Sequence, residues 1–560
     1  MGVDVSQASR AFLAALRAGG VSFITGFPGS PTTALALLLE REGEAAGIEF
    51  RWAINENVAL GQAFGAAMAG RGAAVIMKHV GLNVASDALH VMGVVHGLAA
   101  PLLLFEGADA KPGSSQSAQD NRSFYAGSPN LLVVAPTSPA EIVELVADAC
   151  AISRAAGMLV VVRGDHRSFA SEGEFDEPAV PDESEHARCF EPWPARGRAL
   201  ATSARTYAEH LDTRARVLDR LRPWIEQQVR SWGEPDTLAL VIAGHLGLEA
   251  AEAARARGLP GLRLRLEHPL PRRALLELAD RVETLVVLEE CTTTLETSVR
   301  ALLHAEGRTT KVLGRRELGD ARSIGRIAGD TLTSLLDAAL ALAKPDPSAR
   351  LEARAPAIEV SLAEQLEGLP AELLARERAF EQTHSLASFP AGDLRVPLFD
   401  HLRALGRARG QTCFIATDPG ITGLLALAGQ RSDVKMHMGG AVPIAAGWSR
   451  GCPEGLAIAV VGDTNLPHSE WLGVIDAADR RGRDRGDDLL IVIADNGSSE
   501  MTQRIVTPRV APEQALASFA AIGVRCWSAR ATLDPGDAWA GVLDQAAAAS
   551  GVRLVWIDLR

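Results

Sequence analysis

The sequence predicts an α/β protein made of three doubly wound domains. Two observations predict this fold: short apolar runs alternate with helical patterns in three stretches, and segments rich in charge or proline divide those stretches. Several of the apolar runs are β-branched and unbroken, which is typical of parallel strands buried on both faces. At 560 residues the chain is also too long to form one hydrophobic core.

The domain boundaries are predicted where the composition changes. We expect a first α/β domain over 1–185, a linker with a packed helix over 186–233, a second α/β domain over 234–345, a charged linker over 346–394 and a last α/β domain over 395–560. The first linker is acidic and punctuated by prolines, whereas the second is rich in alanine and charge.

The strands are predicted from the apolar runs, in chain order. An amphipathic helix that ends at two glycines precedes the first strand. The first domain is expected to contain strands at Val21–Thr25, Phe50–Ile54, Ala73–Met77, Leu102–Phe105, Leu131–Val134 and Met158–Val162. Those of the second domain are Leu238–Ile242, Leu262–Leu266 and Thr284–Leu288, and those of the last are Cys413–Ala416, Leu456–Val460, Leu489–Ile493 and Val552–Ile557.

Charge and cysteine content exclude several classes of function. The formal net charge of −13 offers no basic field to attract nucleic acid or anionic lipid. The six cysteines are scattered without a CxxC pair, which argues against a disulfide framework, a zinc site and a cysteine-ligated iron–sulfur cluster. No uncharged apolar run reaches the ~18 residues of a membrane span. We therefore expect a cytoplasmic protein with no membrane or nucleic-acid partner.

Two short segments near the C-terminus indicate a divalent cation. Gly462–Asn465 and Ala494–Ser498 each follow a predicted strand and each contain a hard oxygen ligand, in Asp463 and Asn496. Because one helical stretch separates the two strands, a right-handed crossover would bring both strand ends to one edge of the sheet. Ordinary turns after strands contain the same residue types, so the pattern alone leaves that alternative open.

This spacing resembles the Gly-Asp…Asn signature of thiamine diphosphate enzymes. The resemblance implies that Asp463, Asn496 and the backbone carbonyl of Ser498 bind Mg²⁺, which in turn holds the diphosphate. Such enzymes also need a carboxylic acid beside the aminopyrimidine ring of the cofactor. Glu56 follows a predicted strand at the start of a small-residue helix, where burial would raise its pKa. A glutamate that only stabilises a helix N-terminus is the alternative.

Longer stretches look like the indolepyruvate ferredoxin oxidoreductase alpha subunit. Its pyrimidine domain is similar to residues 21–33, 55–56, 77–85 and 114–122, and its diphosphate domain is similar to residues 462–469 and 495–502. The resemblance implies three domains of the thiamine diphosphate-binding type: a pyrimidine domain, a transketolase C-terminal-like domain and a diphosphate domain. In that family the two halves of a site come from different chains, which implies a homodimer.

The resemblance also implies roles for individual residues. Glu56 would be the cofactor-activating acid, and His79 and His468 would carry protons or orient a substrate carbonyl, or else be structural histidines. A substrate carboxylate would pair with Arg122, unless that arginine lies on the surface. The other implied substrate contacts are Gln116 and Asn121. The implied cofactor contacts are Pro28, Gly29, Glu56, Asn83, Met438, Gly439, Gly462, Asp463, Thr464, Asn496 and Met501.

Met438 is the expected wedge that bends the cofactor, although a methionine at a strand end is more often part of the core. The sequence departs from the family where its iron–sulfur motifs belong. Val396–Asp400 and Thr417–Thr422 contain no cysteine, and we expect no ferredoxin-like domain after the last strand. We therefore expect no bound cluster, since such clusters are held by thiolates.

Loss of the electron path favours a non-oxidative reaction. We expect thiamine diphosphate- and Mg²⁺-dependent decarboxylation of a 2-oxo acid, with the family implying an aryl or bulky one, or carboligation through the same intermediate. The first alternative is a 2-oxo acid oxidoreductase that passes electrons to a separate second subunit. The second is a catalytically silent cofactor-binding subunit, which the joint retention of Glu56, Asp463 and Asn496 argues against.

Overall fold

The computed structural model contains three α/β units, and the predicted fold class is confirmed. It describes residues 6–109, 119–126, 131–180, 199–200, 204–320, 325–327, 329–342, 360–373, 393–419, 431–479, 487–499, 507–533 and 538–560. In the described part of the chain, no helix is both long and apolar enough to cross a membrane.

The first unit begins with helix α1 and alternates strands with helices. Its strands are β1 (Val21–Gly26), β2 (Glu49–Trp52), β3 (Gly72–Lys78), β4 (Leu102–Gly107), β5 (Val133–Val134) and β6 (Leu159–Gly164). Its helices are α1 (Gln7–Ala18), α2 (Thr33–Glu42), α3 (Glu56–Met68), α4 (Gly81–Val84), α5 (Ser86–Val94), α6 (Arg122–Ala126), α7 (Pro139–Ala156) and α8 (His166–Phe169), with a 3₁₀ turn at Glu44–Ala46.

The middle of the chain forms the second unit. A short strand, β7 (Ala199–Leu200), comes first in this part of the chain. The strands that follow are β8 (Val229–Trp232), β9 (Leu238–Ala243), β10 (Gly261–Leu264), β11 (Leu266–His268), β12 (Thr284–Leu288) and β13 (Lys311–Leu313). Its helices are α9 (Ala204–Arg220), α10 (Arg222–Gln227), a 3₁₀ turn (Gly244–Leu246), α11 (Gly247–Ala256), α12 (Arg272–Ala279), α13 (Thr294–Ala305) and α14 (Asp330–Leu342). Helix α15 (Leu362–Leu366) follows in the second predicted linker.

The last unit carries the two predicted metal-binding segments. Its strands are β14 (Cys413–Thr417), β15 (Val434–Lys435), β16 (Leu456–Gly462), β17 (Leu489–Asp495), β18 (Arg525–Arg530) and β19 (Val552–Asp558). Its helices are α16 (Arg395–Arg409), α17 (Ala441–Gly451), a π-helical turn (Leu466–Glu470), α18 (Trp471–Ala478), α19 (Pro512–Ala521) and α20 (Ala538–Ala548).

The described strands form three sheets. The first has the order β11-β5-β6-β4-β3-β1-β2, with only β11 antiparallel to its neighbour among the described strands. The second has the order β13-β12-β9-β10-β8 with β8 antiparallel. The third, β18-β19-β17-β16-β14-β15-β7, is parallel throughout its described pairs. The strand order reverses between β1 and β3 in the first sheet and between β14 and β16 in the third. Open α/β sheets bind ligands at such reversals.

One predicted strand is wrong in a way that matters for domain packing. The run Leu262–Leu266 was expected to be one strand, but it forms β10 in the second sheet and begins β11 in the first sheet. Arg265 lies at the break and pairs with Glu144 of α7 at 2.6 Å. The region predicted as the first linker also supplies β7 to the third sheet and β8 to the second.

Helices α3 and α17 join the first and last units through glycines. A Cβ atom added at Gly65 would lie 2.0 Å from the carbonyl oxygen of Ile444, and one at Gly447 would lie 2.0 Å from that of Gln62. Gly61 faces Pro443 in the same way, so contacts progress in the same direction along both helices. The two helices therefore run parallel, and their N-termini lie at the same end of the interface.

Candidate functional site

The N-terminus of α3 presents Glu56 from a buried position. The side chain of Asn55 caps this helix by accepting a hydrogen bond from the amide of Val58 at 2.8 Å. Glu56 is 6% exposed. Burial raises the pKa of Glu56, although its own backbone amide and the charge of Lys78 act in the opposite direction. A Cβ atom at Gly81 would lie 2.5 Å from Glu56 Oε1, so the carboxyl group needs a glycine there.

Asp476 of α18 holds the segment that leads into Glu56. Its Oδ1 accepts a hydrogen bond from the amide of Ile54 at 2.7 Å. Its Oδ2 accepts from Gln62 Nε2 at 2.5 Å and from Arg51 Nη2 at 2.8 Å. A buried carboxylate of the last unit thus fixes both ends of the β2–α3 connection in the first unit.

The loops after β1 and β3 lie at the same edge of the first sheet. A Cβ atom at Gly29 would lie 2.7 Å from the side chain of Lys78, so the loop passes closely over that lysine. Pro28 beside it is exposed. The Gly29 carbonyl accepts a hydrogen bond from Thr32 Oγ1 at 2.8 Å, which closes the turn into α2.

A network of side-chain amides adjoins His79. Asn121 Nδ2 donates to the carbonyl oxygen of His79, whose side chain is buried. Asn83 and Gln119 exchange two hydrogen bonds of 2.8 Å, and Gln119 Nε2 also donates to Asn121 Oδ1 at 2.7 Å. Gln119 was not among the predicted site residues. The predicted Gln116 lies outside the described residues.

Arg122 lies at the junction with the second unit. Its guanidinium pairs with Asp120 at 2.6 Å and with Glu289 at 2.8 Å, and it donates to the Glu290 carbonyl at 2.6 Å. The alternative of a surface arginine is wrong, because the residue is buried. The contacts of Arg122 with Glu289 and Glu290 join the first unit to the second. A role in binding a substrate carboxylate stays a prediction.

The predicted metal ligands meet at the ends of β16 and β17. The carboxylate of Asp463 accepts a hydrogen bond from the backbone amide of Asn496. Asn496 Oδ1 in turn accepts from the amide of Ser498 at 3.2 Å. Gly462 pairs with Ala494 in the register of the two strands, which sets this proximity.

Arg509 is a cation at these strand ends that the sequence reasoning missed. It forms an ion pair with Asp463, contacts Asp495 at 2.7 Å and donates to the Gly497 carbonyl at 2.7 Å. Burial raises the pKa of Asp463 to about 6, although the charge of Arg509 acts to lower it. The guanidinium therefore neutralises a carboxylate that is costly to bury alone.

Two further predicted residues lie beyond β16. Thr464 Oγ1 is buried and has no hydrogen-bond partner within the described residues. His468 is exposed, and its Nδ1 is hydrogen-bonded to Ser469 Oγ. The predicted Met501 lies outside the part of the chain that the structure describes.

The turn Met438–Gly440 precedes α17. Gly439 has a φ angle of +85°, and a Cβ atom there would lie 2.3 Å from Ser469 Cβ, so both conformation and space require glycine. Met438 is half-buried. This contact joins the turn to the loop after β16.

His437 also belongs to this turn and was missed by the sequence reasoning. It is 2% exposed, and neither of its ring nitrogens has a hydrogen-bond partner within the described residues. Burial and the charge of Lys435 lower the pKa of His437 to about 4, so the ring is neutral at pH 7.

The oxygen atoms at the ends of β16 and β17 can be compared with the ligands that Mg²⁺ prefers. The described residues contain no group of three or more His, Cys, Asp or Glu side chains that could hold a metal ion. A cation at the ends of β16 and β17 would instead use one carboxylate, one amide oxygen and one backbone carbonyl. These are the hard oxygen ligands that Mg²⁺ accepts while keeping positions for phosphate oxygens.

Helices α3 and α17 of the same chain contact each other. Because α3 and α17 run parallel, Glu56 and the turn Met438–Gly440 lie at the same end of their interface. The expectation that the two halves of a site come from different chains stays a prediction. The homodimer itself stays a prediction.

Comparison with known proteins identifies a family for part of the first unit. Residues 28–165 match the family described as transketolase, pyrimidine binding domain. The chain is 30% identical over 329 residues to the indolepyruvate oxidoreductase subunit IorA of Methanothermobacter marburgensis, covering 56% of this chain and 52% of that protein. IorA of Archaeoglobus fulgidus is 27% identical over 325 residues, covering 55% and 51%.

Among solved structures, the thiamine diphosphate-dependent 4-hydroxybenzoylformate decarboxylase of Rhodococcus jostii aligns over 99% of both chains, with a TM-score of 0.46 and 17% identity. The chain spans about half the length of the curated relatives it matches. The resemblance named from the sequence is confirmed: the first unit contains a pyrimidine-binding domain of the transketolase type, and the chain is related to IorA.

Proposed function

We propose that this protein is a thiamine diphosphate- and Mg²⁺-dependent enzyme that decarboxylates a 2-oxo acid without oxidising it, or joins the resulting fragment to a second carbonyl compound. One observation carries the proposal. The parallel helices α3 and α17 bring the buried carboxyl group of Glu56 to the same end as the turn Met438–Gly440, and Ser469 joins that turn to the loop that follows β16.

The donors at the ends of β16 and β17 fit a metal-bound diphosphate. Asp463, Asn496 Oδ1 and the Ser498 carbonyl would hold Mg²⁺, because all three are hard oxygen ligands. The buried hydroxyl of Thr464, which has no partner among the described residues, is available to a phosphate oxygen. Gly439 and Gly462 would let the backbone approach the cofactor closely.

The protein groups would then supply proton control and orientation. Thiamine diphosphate, when bound, supplies a carbon nucleophile and an electron sink for loss of CO₂. Glu56 would share a proton with the N1′ atom of the aminopyrimidine ring, and the burial that raises its pKa favours that role. Met438 would pack beneath the cofactor, and His79 or His468 would transfer a proton to or from the substrate.

The cysteines support a non-oxidative outcome. No disulfide joins the described cysteines, and none of them belongs to a described group of side chains that could hold a metal. The segments where the resembling family carries its cluster-ligating cysteines, Val396–Asp400 and Thr417–Thr422, contain none here.

A second candidate is supported by the relatedness to IorA. On this alternative the chain is the cofactor-binding subunit of a 2-oxo acid oxidoreductase, and a separate second subunit or a soluble acceptor takes the electrons. Dye reduction that depends on an added partner would favour this alternative over the non-oxidative reaction.

Product analysis tests the proposal. Purified protein would be incubated with thiamine diphosphate, Mg²⁺ and a panel of aryl and alkyl 2-oxo acids, with and without an aldehyde acceptor. We expect CO₂ release with an aldehyde or an acyloin as product, and no reduction of viologen dye. Dye reduction by the chain alone, or no CO₂ from any acid on a broad panel, would contradict it.

Cofactor binding can be tested separately from turnover. Asp463→Ala and Asn496→Ala are each expected to lose binding of thiamine diphosphate in the presence of Mg²⁺, while the fold persists. Titration calorimetry measures the affinity, and circular dichroism checks the fold. Unchanged affinity in both variants would remove the metal assignment.

A further inference from the structure

Two carboxyl groups lie in contact beneath the turn Met438–Gly440, and the proposed chemistry leaves both of them unused. Asp418 follows β14, and Glu470 ends the π-helical turn after β16. They are 1% and 0% exposed, and their side chains are hydrogen-bonded to each other. They therefore join the two loops that flank the strand-order reversal of the third sheet.

Both groups also accept hydrogen bonds from the first amides of α17. Asp418 Oδ1 accepts from Gly440 at 3.2 Å and from Ala441 at 3.1 Å. Glu470 Oε1 accepts from Ala441 at 2.7 Å, and Glu470 Oε2 accepts from Val442 at 3.2 Å. Amides at a helix N-terminus have no partner within the helix, so the pair satisfies them and faces the positive end of the helix dipole.

The surroundings favour one negative charge on the pair over two. Two ionised carboxylates in contact repel each other, and burial adds a desolvation cost for each. Among the described residues, Lys435 is a cation that interacts electrostatically with Asp418, and it also interacts with Asp87. Burial lowers the pKa of Lys435, which weakens the positive charge available to the pair. His437, buried under Gly440, is neutral at pH 7.

We propose that Asp418 and Glu470 share a single proton, and that the resulting singly charged pair is the positioning device that fixes the turn Met438–Gly440 against Ser469. Glu470 is the acid and donates to Asp418. Burial and the charge of Asp418 raise the pKa of Glu470 well above its usual value, in agreement with this assignment. The role of the turn in holding cofactor rests on the proposed function, whereas the shared proton does not.

A direct test of the proton uses the protein without cofactor. The infrared difference spectrum between wild type and Glu470→Gln at pH 7 is expected to show the carbonyl band of a buried protonated carboxylic acid in the wild type that the variant lacks. The side-chain amide introduced by this substitution would still accept from α17 and donate to Asp418. Identical carbonyl bands in the wild-type protein and in Glu470→Gln would overturn the proposal.

A double-mutant cycle tests the charge count. Glu470→Gln and Asp418→Asn each keep one carboxylate and one donor, so each should bind thiamine diphosphate within a few-fold of the wild-type affinity. The double variant has no charge, and Glu470→Leu has no donor. Both are expected to bind about tenfold more weakly or worse, so the single effects are not additive. Additive effects, or equal losses in Glu470→Gln and Glu470→Leu, would contradict the shared proton.

The shared proton and the proposed function can be disproved independently. If the wild-type protein does not bind thiamine diphosphate at all, the proposed function fails, while the infrared band still decides the state of the pair. If the cofactor binds but Glu470→Gln abolishes binding with an intact fold, the positioning role by a neutral acid is wrong. Melting temperatures of the wild-type protein and the variants check the fold in each case.

Discussion

Arg509 forms an ion pair with Asp463, the carboxylate that the proposed function assigns to Mg²⁺. The same guanidinium contacts Asp495 and the carbonyl of Gly497, so it lies among the residues that frame the candidate cation site. A divalent cation that binds Asp463 must therefore compete with an internal cation. The affinity for a metal ion in the absence of cofactor therefore tests whether Asp463 is a metal ligand.

Replacing Arg509 should strengthen binding of the metal ion alone. Arg509→Gln removes the competing charge from Asp463, and we expect affinity for Mn²⁺, used as a probe of the Mg²⁺ site, to rise about tenfold, which corresponds to ~1.4 kcal/mol. Titration calorimetry without thiamine diphosphate measures this. Arg525→Gln, an exposed arginine on β18, is the matched control and should change nothing. Unchanged or weaker Mn²⁺ binding by Arg509→Gln would count against the assignment of Asp463.

Replacing the buried acid should separate binding from turnover. Glu56→Gln keeps the size of the side chain but loses the proton that the aminopyrimidine needs, so thiamine diphosphate should still bind. Turnover should fall by ~10²–10⁴-fold, the usual effect of losing a general acid or base. Steady-state rates with the best 2-oxo acid measure this, and Glu44→Gln, on an exposed turn of the same unit, is the control. Wild-type turnover in Glu56→Gln would remove Glu56 from the mechanism.

Separating the two helices should destabilise the junction between the first and last units. Gly65→Ala places a methyl group 2.0 Å from the Ile444 carbonyl, where backbone on both sides has no room to move. We expect a loss of about 1–3 kcal/mol, as for other overpacked cores, together with weaker cofactor binding. The measurements are the urea midpoint and the calorimetric affinity.

Gly541→Ala provides the matched control for the helix junction. Gly541 lies in α20, and a Cβ atom there meets no other atom within 4 Å. Alanine has the higher helix propensity, so this variant should gain up to about 1 kcal/mol. Equal effects of the two substitutions would show that close packing at Gly65 does not matter.

Local sequence pattern predicted the features whose determinants are local. The unbroken apolar runs predicted β16 and β17 within two residues of their observed ends, and the residues that follow them meet as parallel strand ends must. Burial of Glu56 also followed from the apolar helix that it begins. These predictions needed only periodicity, strand geometry and the position of a polar residue in an apolar segment.

Long-range pairing determines the features that the sequence did not predict. Nothing adjacent to Arg122 in the sequence indicates that Glu289 of the second unit neutralises it. Glu470 and Asp418 lie on different loops, so their contact exists only once β14 and β16 are neighbours. Nothing within the run Leu262–Leu266 marks a break between two strands. The run is divided because Leu264 pairs with β8 in the second sheet, whereas Leu266 pairs with β5 in the first.

An ion pair between the first and second units gives a prediction about pH. Glu141 of α7 accepts hydrogen bonds from Thr137 Oγ1 at 2.8 Å and from Arg263 Nη1 of β10 at 3.1 Å, and Arg265 lies 3.3 Å away. Burial alone would raise the pKa of Glu141, but the hydrogen bond and charge of Arg263 and the charge of Arg265 outweigh it. The pKa of Glu141 therefore falls from 4.5 to about 2.

Glu141→Gln should destabilise the protein at neutral pH and much less in acid. A folded-state pKa below that of the unfolded chain stabilises the fold above about pH 4.5, and this contribution disappears as the pH falls towards 2. At pH 7 it amounts to about 3 kcal/mol, because one pKa unit corresponds to ~1.4 kcal/mol. Urea midpoints of wild type and variant should therefore differ most above pH 5 and converge on acidification.

Glu277→Gln, which breaks an exposed pair with Arg273, is the control and should cost less than about 1 kcal/mol. A pH-independent difference for Glu141→Gln would mean that the junction is held by packing and not by this charge.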